Sequence, residues 1–258
     1  MPTRLIIITG ASRGLGAALA EQLLQPGAVM LCLSRQRHPT LAQQAAKLGA
    51  QLEHWPRDLA DSVAVADELE QWLRGFDAQR FDRADLINNA GVIPTLGPAD
   101  GCSNAELSAA LRVGLESAVL LTASFLRASA SWRAERRVLN ISSGLGRHAM
   151  AGSAVYCGVK AGMDHFSRAV AMDEAHRESQ GGGYRAARIV SLAPGVVDTD
   201  MQVQLRSAEP GGFPSRDRFE ALHTSGQLVS ARATAEKIIR HLDSADFGAD
   251  AVADIRLV

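Results

Sequence analysis

A glycine-rich turn between the first predicted strand and the first predicted helix constrains the fold more than any other segment. Leu5–Thr9 is apolar and mostly β-branched, Thr9–Gly16 carries three glycines, and Ala17–Leu24 has helical periodicity. Glycine permits a tight turn and lets a diphosphate approach the backbone, while a helix start presents free N–H groups and a positive dipole end. The strand–turn–helix order predicts a dinucleotide-binding site; a glycine turn without a ligand is the alternative.

Short apolar runs alternate with longer amphipathic stretches along the rest of the chain. Because parallel strands require helical crossovers, this alternation predicts an α/β fold with one domain over residues 1–258. We expect a Rossmann-type, doubly wound parallel sheet of about seven strands with helices on both faces. The further predicted strands are Val29–Leu33, Gln51–Trp55, one opening at Leu86–Ile87, Arg137–Ser142, Ala187–Leu192 and Ala251–Leu257. The further predicted helices are Leu41–Leu48, Ser62–Leu73, Ala105–Ala130, Val155–Glu178 and Thr234–Leu242.

One irregular stretch interrupts this alternation at about 200–227. Gln202–Gln227 is rich in glycine, proline, serine and charged residues, and a connection of that length in a compact domain is often a lid. The larger apolar residues of this stretch predict a lid with an apolar inner face, which suits an aromatic or aliphatic ketone as substrate. The alternative is that these residues are scattered over the surface of a disordered loop. These residues are Met201, Phe213, Phe219 and Leu222.

Composition narrows the classes of function. The formal net charge is −1, so no strong field favours nucleic acid or an anionic membrane. The three cysteines and seven histidines show no metal-ligand spacing, so we expect no metal site. The apolar run before Gly10 is too short for a secretion signal or a membrane span, which predicts a cytoplasmic protein.

The residues after the second predicted strand bear on nucleotide choice. An NAD-binding site usually has an acidic residue there, whereas this chain has Ser34-Arg35 with Arg37 close behind and Arg13 in the glycine turn. Guanidinium groups bind phosphate through two hydrogen bonds, so the pattern favours NADP(H). Arginines that are simply solvated are the alternative.

Tyr156 and Lys160 lie four residues apart, on one face of a predicted helix. A carbonyl that accepts hydride must also gain a proton, and a free phenol with a pKa of about 10 is a reluctant donor. A neighbouring ammonium stabilises the phenolate and lowers that pKa. Ser143, at the end of the fifth predicted strand, is placed to hydrogen-bond the same carbonyl oxygen. These three residues are the predicted catalytic set.

Together, Thr9–Gly16, Asn88–Gly91, Ser143, the Tyr156–Lys160 pair and Pro194–Thr199 resemble the short-chain dehydrogenase/reductase superfamily over nearly the whole chain. The resemblance implies that Tyr156 is the proton donor and that Lys160 also holds the nicotinamide ribose. It implies contacts to the adenine end from Asp58 and Leu59, and to the nicotinamide carboxamide from the Pro194–Thr199 segment. The predicted cofactor-binding residues besides Tyr156 and Lys160 are Gly10, Ser12, Arg13, Gly14, Leu15, Gly16, Ser34, Arg35, Asp58, Leu59, Asn89, Ala90, Gly91, Pro194, Gly195, Val197 and Thr199.

Two stretches, Pro194–Val203 and Ser225–Leu228, are similar to the benzil-reductase and sepiapterin-reductase type within that superfamily. This resemblance implies NADPH-dependent reduction of ketones or dicarbonyls to alcohols. A 3-oxoacyl-carrier reductase, with an entrance patch at Arg206, Arg216 and Arg218, is one alternative. A redox sensor or scaffold that binds NADPH without turnover is another. The resemblance also implies a homodimer or homotetramer.

One position departs from the family pattern. An asparagine is usual in the helix before the catalytic strand, and Gly114 stands in its place within Val113–Ser117. Glycine in a helix interior costs roughly 0.5–1 kcal/mol relative to alanine, so a reason for it is expected. We hypothesise that a water molecule, aided by Ser117, takes the place of the missing asparagine side chain and keeps the resupply of protons to Lys160 intact.

Overall fold

The central sheet consists of seven parallel strands in the computed structural model, which describes residues 3–258. Their spatial order is β3-β2-β1-β4-β5-β6-β9, so the order reverses between β1 and β4. Parallel pairing runs through the whole sheet, with Ile6 opposite Met30 in β2 and opposite Asp85 in β4. The strands are β1 (Arg4–Thr9), β2 (Val29–Leu33), β3 (Gln51–Trp55), β4 (Arg83–Asn88), β5 (Glu135–Ile141), β6 (Arg188–Ala193), β7 (Val197–Asp198), β8 (Val229–Ser230) and β9 (Val252–Asp254).

Helices cover both faces of the sheet. The helices are α1 (Gly14–Leu23), α2 (Leu41–Leu48), α3 (Ser62–Arg74), α4 (Asn104–Leu111), α5 (Ser117–Ala128), α6 (Ala154–Ser179), α7 (Asp200–Arg206), α8 (Arg216–Thr224) and α9 (Ala231–Asp243). Alternate residues of each strand point to opposite faces. Ile6 therefore packs in one buried cluster with Leu19 of α1 and Ile238 of α9. Ile7 packs in the other with Leu69 of α3.

The predicted doubly wound α/β fold is confirmed, and two strands agree residue for residue, Val29–Leu33 and Gln51–Trp55. Most other elements shift only at their ends, and two differ by more than that. The predicted helix over 105–130 is interrupted by a π turn at Arg112–Glu116 between α4 and α5. The last strand is limited to Val252–Asp254, the three residues that pair with Ser191–Ala193 of β6.

The prediction of an irregular segment at 202–227 was wrong. The segment contains α8 and most of α7, joined by a short loop, and α7 begins earlier, at Asp200. A two-residue parallel pair, β7 with β8, closes its base. The glycines and prolines between the helices concealed the pattern, since each helix is under ten residues long. We call residues 200–227 the lid, after the role predicted for them.

One helical stretch, Asn104–Ala128, is long and apolar enough to cross a membrane, with a mean hydropathy of 1.5. Half of the 18-residue window that has this hydropathy is buried inside the fold. Leu121 and Phe125 of α5 pack there in the same buried cluster as Leu69 of α3. The stretch therefore serves here as a core helix. Within residues 3–258, no group of three His, Cys, Asp or Glu side chains is arranged to hold a metal ion.

Candidate active site

The predicted site residues meet at the carboxyl edge of the sheet. The ends of β1, β4, β5 and β6 lie side by side there, at the point where the strand order reverses. In open parallel sheets this crevice is where ligands bind.

The glycine turn and the end of β4 are built against each other. The side chain of Asn89 donates a hydrogen bond to the Thr9 carbonyl at 3.0 Å, and the Thr9 hydroxyl accepts from the backbone N–H groups of Asn89 and Ala90. Gly10 has a left-handed φ of 69°. A Cβ on Gly16 would collide with the Gly10 carbonyl and the Asn89 side chain, so both positions require glycine.

The first turn of α1 is suited to an anion. Arg13 precedes the helix in an extended conformation without a side-chain capping bond, and no acidic residue lies in the first turn. The N–H groups of that turn and the positive end of the helix dipole are therefore available for a phosphate. These features fit the diphosphate of a nicotinamide cofactor. Thr199 lies beside the same turn, 3.5 Å from where a Cβ of Gly14 would be.

The end of β2 forms a compact turn beside the glycine turn. Gly10 donates its N–H to the Leu33 carbonyl at 2.7 Å, which brings Ser34 next to the phosphate site. The buried Ser34 hydroxyl donates to the Gln36 carbonyl at 2.7 Å, while Arg35 and Arg37 are exposed.

His54 was not predicted as a site residue, because scattered histidines give no sequence signal. Its Nε2 lies 3.0 Å from the Ser34 hydroxyl and 3.1 Å from the Gln36 carbonyl, so it helps to close this turn. Burial lowers the pKa of His54, with Arg37 acting in the same direction.

Asp58, which was predicted at the adenine end, is exposed and accepts from the Ala60 N–H at 3.0 Å.

Tyr156 and Lys160 are buried on one face of α6. Burial raises the pKa of Tyr156 to about 12, with the Ser143 hydroxyl acting in the opposite direction. The net shift is therefore opposite to the lowering expected from Lys160, because burial outweighs it. Burial lowers the pKa of Lys160 to about 8, opposed by the charge of Asp164. The Lys160 ammonium lies 5.6 Å from the centre of the Tyr156 ring and donates to the Ile141 carbonyl at 2.7 Å.

Strand β5 delivers Ser143 to the same place. The residue follows Ser142 directly after the strand, and its hydroxyl accepts from the Leu145 N–H at 3.2 Å at the start of a short 3₁₀ turn. Gly91, which follows β4, also lies near the lysine, since a Cβ added at Gly91 would be 3.8 Å from Lys160 Nζ. The structure thus brings the three predicted catalytic residues together with the Asn89–Gly91 segment.

The lid contacts the tyrosine through one residue. The Tyr156 hydroxyl lies 3.8 Å from the Met201 sulfur. Phe213 is fully buried and stacks on Phe219 with 5.7 Å between ring centres. Leu222 is half-buried. The predicted apolar inner face of the lid therefore has Met201 over the tyrosine and Phe213 packed into the protein.

A narrow cavity beside Tyr156 has walls that were not predicted from the sequence. One wall is the loop Ile93–Gly97 and the other is Gly152–Val155, at the start of α6. The Gly97 N–H donates to the Gly152 carbonyl at 2.9 Å, which joins the two walls. Most of the lining is apolar. Residues of this loop carry no motif, and only the fold places them beside the tyrosine.

Gly114 lies in the π turn where α5 approaches α6. A Cβ at this position would be 2.7 Å from Cγ1 of Val159. The Ser117 hydroxyl donates to the Val113 carbonyl at 2.8 Å. Val159 therefore occupies the space next to Gly114, and the Ser117 hydroxyl already donates its proton to a backbone carbonyl. The water molecule of the hypothesis stays a prediction.

Comparison with known proteins agrees with this geometry. The family model described as short chain dehydrogenase matches residues 4–210. The chain belongs to the short-chain dehydrogenase family. Members of this family are oxidoreductases that use nicotinamide cofactors, which accounts for the anion-ready turn beside the buried tyrosine.

Two relatives and one solved structure illustrate how far the likeness of this short-chain dehydrogenase extends. It is 32% identical to a benzil reductase ((S)-benzoin forming) of Bacillus cereus, over 95% of this chain and 96% of the relative. It is 33% identical to the sepiapterin reductase of Rattus norvegicus, over 96% and 94% respectively. A crystal structure of a short-chain dehydrogenase/reductase from Burkholderia vietnamiensis is 38% identical, with a TM-score of 0.65 and coverage of 99% and 98%. The predicted resemblance to the benzil-reductase and sepiapterin-reductase type is confirmed.

Proposed function

We propose that this short-chain dehydrogenase reduces ketone or dicarbonyl groups to alcohols with NADPH, and that Tyr156 donates the proton. The observation that carries the proposal is the meeting of Ser143, Tyr156 and Lys160 beside a helix start that is open to a phosphate. The names of the two relatives, a benzil reductase and a sepiapterin reductase, support a substrate with a ketone next to a second oxygen or an aromatic ring.

The residues divide the proton chemistry among them. The nicotinamide, when bound, would supply hydride to the carbonyl carbon. The Tyr156 hydroxyl would then give its proton to the carbonyl oxygen, while the Ser143 hydroxyl hydrogen-bonds that oxygen as charge develops. A phenol with a pKa of about 12 is a poor acid, so the Lys160 ammonium is needed to stabilise the phenolate that remains.

Residues of the glycine turn and of the β2 end would hold the cofactor. The phosphates fit the first turn of α1, and the exposed guanidinium of Arg35 follows Ser34 at the end of β2, where a 2′-phosphate would be bound. Guanidinium groups suit that phosphate and no carboxylate follows β2 before His38, which favours NADPH over NADH. A cytoplasmic location and a homodimer or homotetramer remain predictions.

The alternative of a 3-oxoacyl-carrier reductase is less well supported. It requires free basic side chains at the entrance, but Arg216 is paired with Glu220 at 2.6 Å within α8. The Arg206 carbonyl also accepts from the Arg216 side chain, so this arginine is held within the lid.

The test measures loss of NADPH absorbance with 1,2-diketones, a pterin that bears a side-chain ketone, simple monoketones and 3-oxoacyl thioesters. We expect the wild-type protein to consume NADPH with diketones or pterins, and Tyr156→Phe to lose nearly all turnover while still binding NADPH. Tyr184→Phe is the matched control, since this second tyrosine bonds Glu174, which lies towards the opposite end of α6 from Tyr156. Preference for the thioesters would favour the acyl-carrier alternative. If the protein binds NADPH but reduces none of these carbonyl compounds, the alternative of a redox sensor or scaffold would be favoured.

A further inference from the structure

A buried carboxylate lies beneath the proposed catalytic residues. Asp164 is on α6, four residues after Lys160 and eight after Tyr156, so the three side chains share one face of the helix. It is only 1% exposed. A buried charge is costly unless it is paired or hydrogen-bonded, so its presence requires a physical reason.

One carboxylate oxygen joins α6 to two strand ends. Oδ1 of Asp164 accepts from the Ser142 hydroxyl at 2.5 Å and from the Ser191 hydroxyl at 2.7 Å. Ser142 immediately precedes Ser143, so the first of these bonds fixes the backbone that carries the proposed catalytic serine. Ser191 belongs to β6, the neighbouring strand.

The other oxygen, Oδ2, faces the segment that follows Ser143. A Cβ on Gly146 would be 2.7 Å from this oxygen, so the backbone of that segment lies directly over it. Oδ2 has no hydrogen-bond partner, and the nearest guanidinium, that of Arg147, is 3.5 Å away. Arg147 is shared with Asp254 at 3.6 Å, and Asp254 is paired more closely with Arg256 at 2.6 Å. Arg147 therefore neutralises Asp164 only in part.

We infer that Asp164 is a positioning residue for the reduction, which fixes the Ser143 strand end through Ser142 and supplies the negative charge that keeps Lys160 protonated. The inference rests on the proposed function, because the charge of Asp164 would act on the proposed reduction through Lys160. Lys160 and Asp164 are both buried, and Coulomb interactions between buried groups are weakly screened.

The groups around Lys160 are few. On α6 they are Tyr156 and Asp164, and from the segment after β5 the charged group is Arg147. Strand β5 presents the Ile141 carbonyl, and the end of β4 presents the uncharged Gly91. The π turn before α5 also approaches α6 beside Lys160. Its contact there is uncharged, because Gly114 lies against Val159. Asp164 is thus a buried carboxylate one helical turn from Lys160 on the same face of α6, and its charge raises the pKa of Lys160.

The experiment is the pH dependence of kcat/KM for a diketone at saturating NADPH, compared between the wild-type protein and variants. Asp164→Asn keeps an oxygen that can accept from the serines but removes the charge. We expect the alkaline limb, set by Lys160, to move down by about one pH unit. Ser191→Ala removes one hydrogen bond and keeps the charge, so its limb should stay where the wild-type limb is.

A second variant keeps the inference testable if Asp164→Asn does not fold. Arg147→Gln removes the cation that competes for Asp164, so the alkaline limb should move up rather than down. An unchanged limb in both charge variants, or an equal shift in Ser191→Ala, overturns the inference. If the wild-type protein reduces no carbonyl at all, the proposed function fails instead, and the two failures are therefore distinguishable.

Discussion

The Arg13 guanidinium lies 2.8 Å from the Asp200 carboxylate, and this pair joins the glycine turn to the first residue of the lid. Both side chains are highly exposed, at 73% and 74%. Exposed ion pairs add little to the stability of a protein. The consequence of this contact is therefore its effect on whether Arg13 can bind a phosphate. A guanidinium held by a carboxylate is less available to a phosphate.

Replacing Asp200 should therefore improve the binding of NADPH. We expect Asp200→Asn to lower the KM for NADPH severalfold and to leave the KM for NADH unchanged, because NADH has no 2′-phosphate. Steady-state kinetics with both cofactors at two salt concentrations checks this, and Arg13→Met should raise the KM for NADPH. Equal changes for both cofactors would mean that the pair acts by positioning the lid.

The lid depends on a buried aromatic residue. Phe213 is fully buried, so truncation to alanine removes its contacts and leaves a cavity, at a cost of about 3–5 kcal/mol to the packing of the lid. We expect Phe213→Ala to make the lid sensitive to limited proteolysis and to raise the KM for the ketone, with NADPH affinity unchanged. Phe219→Ala, at a half-buried position, should have a weaker effect. A lid that stays protease-resistant in Phe213→Ala would contradict this prediction.

The contact between Gly114 and Val159 predicts a stability effect with a specific rescue. In Gly114→Ala the added methyl would lie 2.7 Å from Val159 Cγ1, and overpacking of this kind costs about 1–3 kcal/mol. The gain from replacing a helical glycine, roughly 0.5–1 kcal/mol, offsets only part of that cost. We expect a lower free energy of unfolding in urea, with most of the loss restored by adding Val159→Ala. A single variant as stable as the wild type would show that the two helices separate easily.

The state of Lys160 predicts opposite pH profiles for the two directions of the reaction. Because its pKa is lowered to about 8, the ammonium is lost as the pH rises through that value, and the phenolate that proton transfer leaves on Tyr156 then lacks a neighbouring positive charge. Carbonyl reduction should therefore decline above about pH 8, whereas alcohol oxidation, which needs a base, should not. Initial rates measured in both directions check this. A flat reduction profile up to pH 10 would show that Lys160 is not the titrating group.

The identity of the fold was already contained in local sequence patterns. The strand Leu5–Thr9 and the turn that follows it depend on interactions between neighbours in the chain, so periodicity and glycine positions predicted them correctly. The spacing of Tyr156 and Lys160 is equally local, because residues four apart share a helix face. Arg112–Glu116 had no such signal, and the contact of its Gly114 with Val159 of α6 joins segments that are distant in the chain.

The sequence by itself determined the fold class and the residues capable of chemistry, because strand and helix periodicity, turn glycines and the Tyr156–Lys160 spacing are properties of short segments. Only the tertiary structure decided what those residues meet. Asp164 meets Ser142 across 22 positions, and Arg13 meets Asp200 across 187. The physical reason is that burial, charge pairing and the pKa values of Tyr156 and Lys160 depend on contacts between distant segments, which no local pattern records.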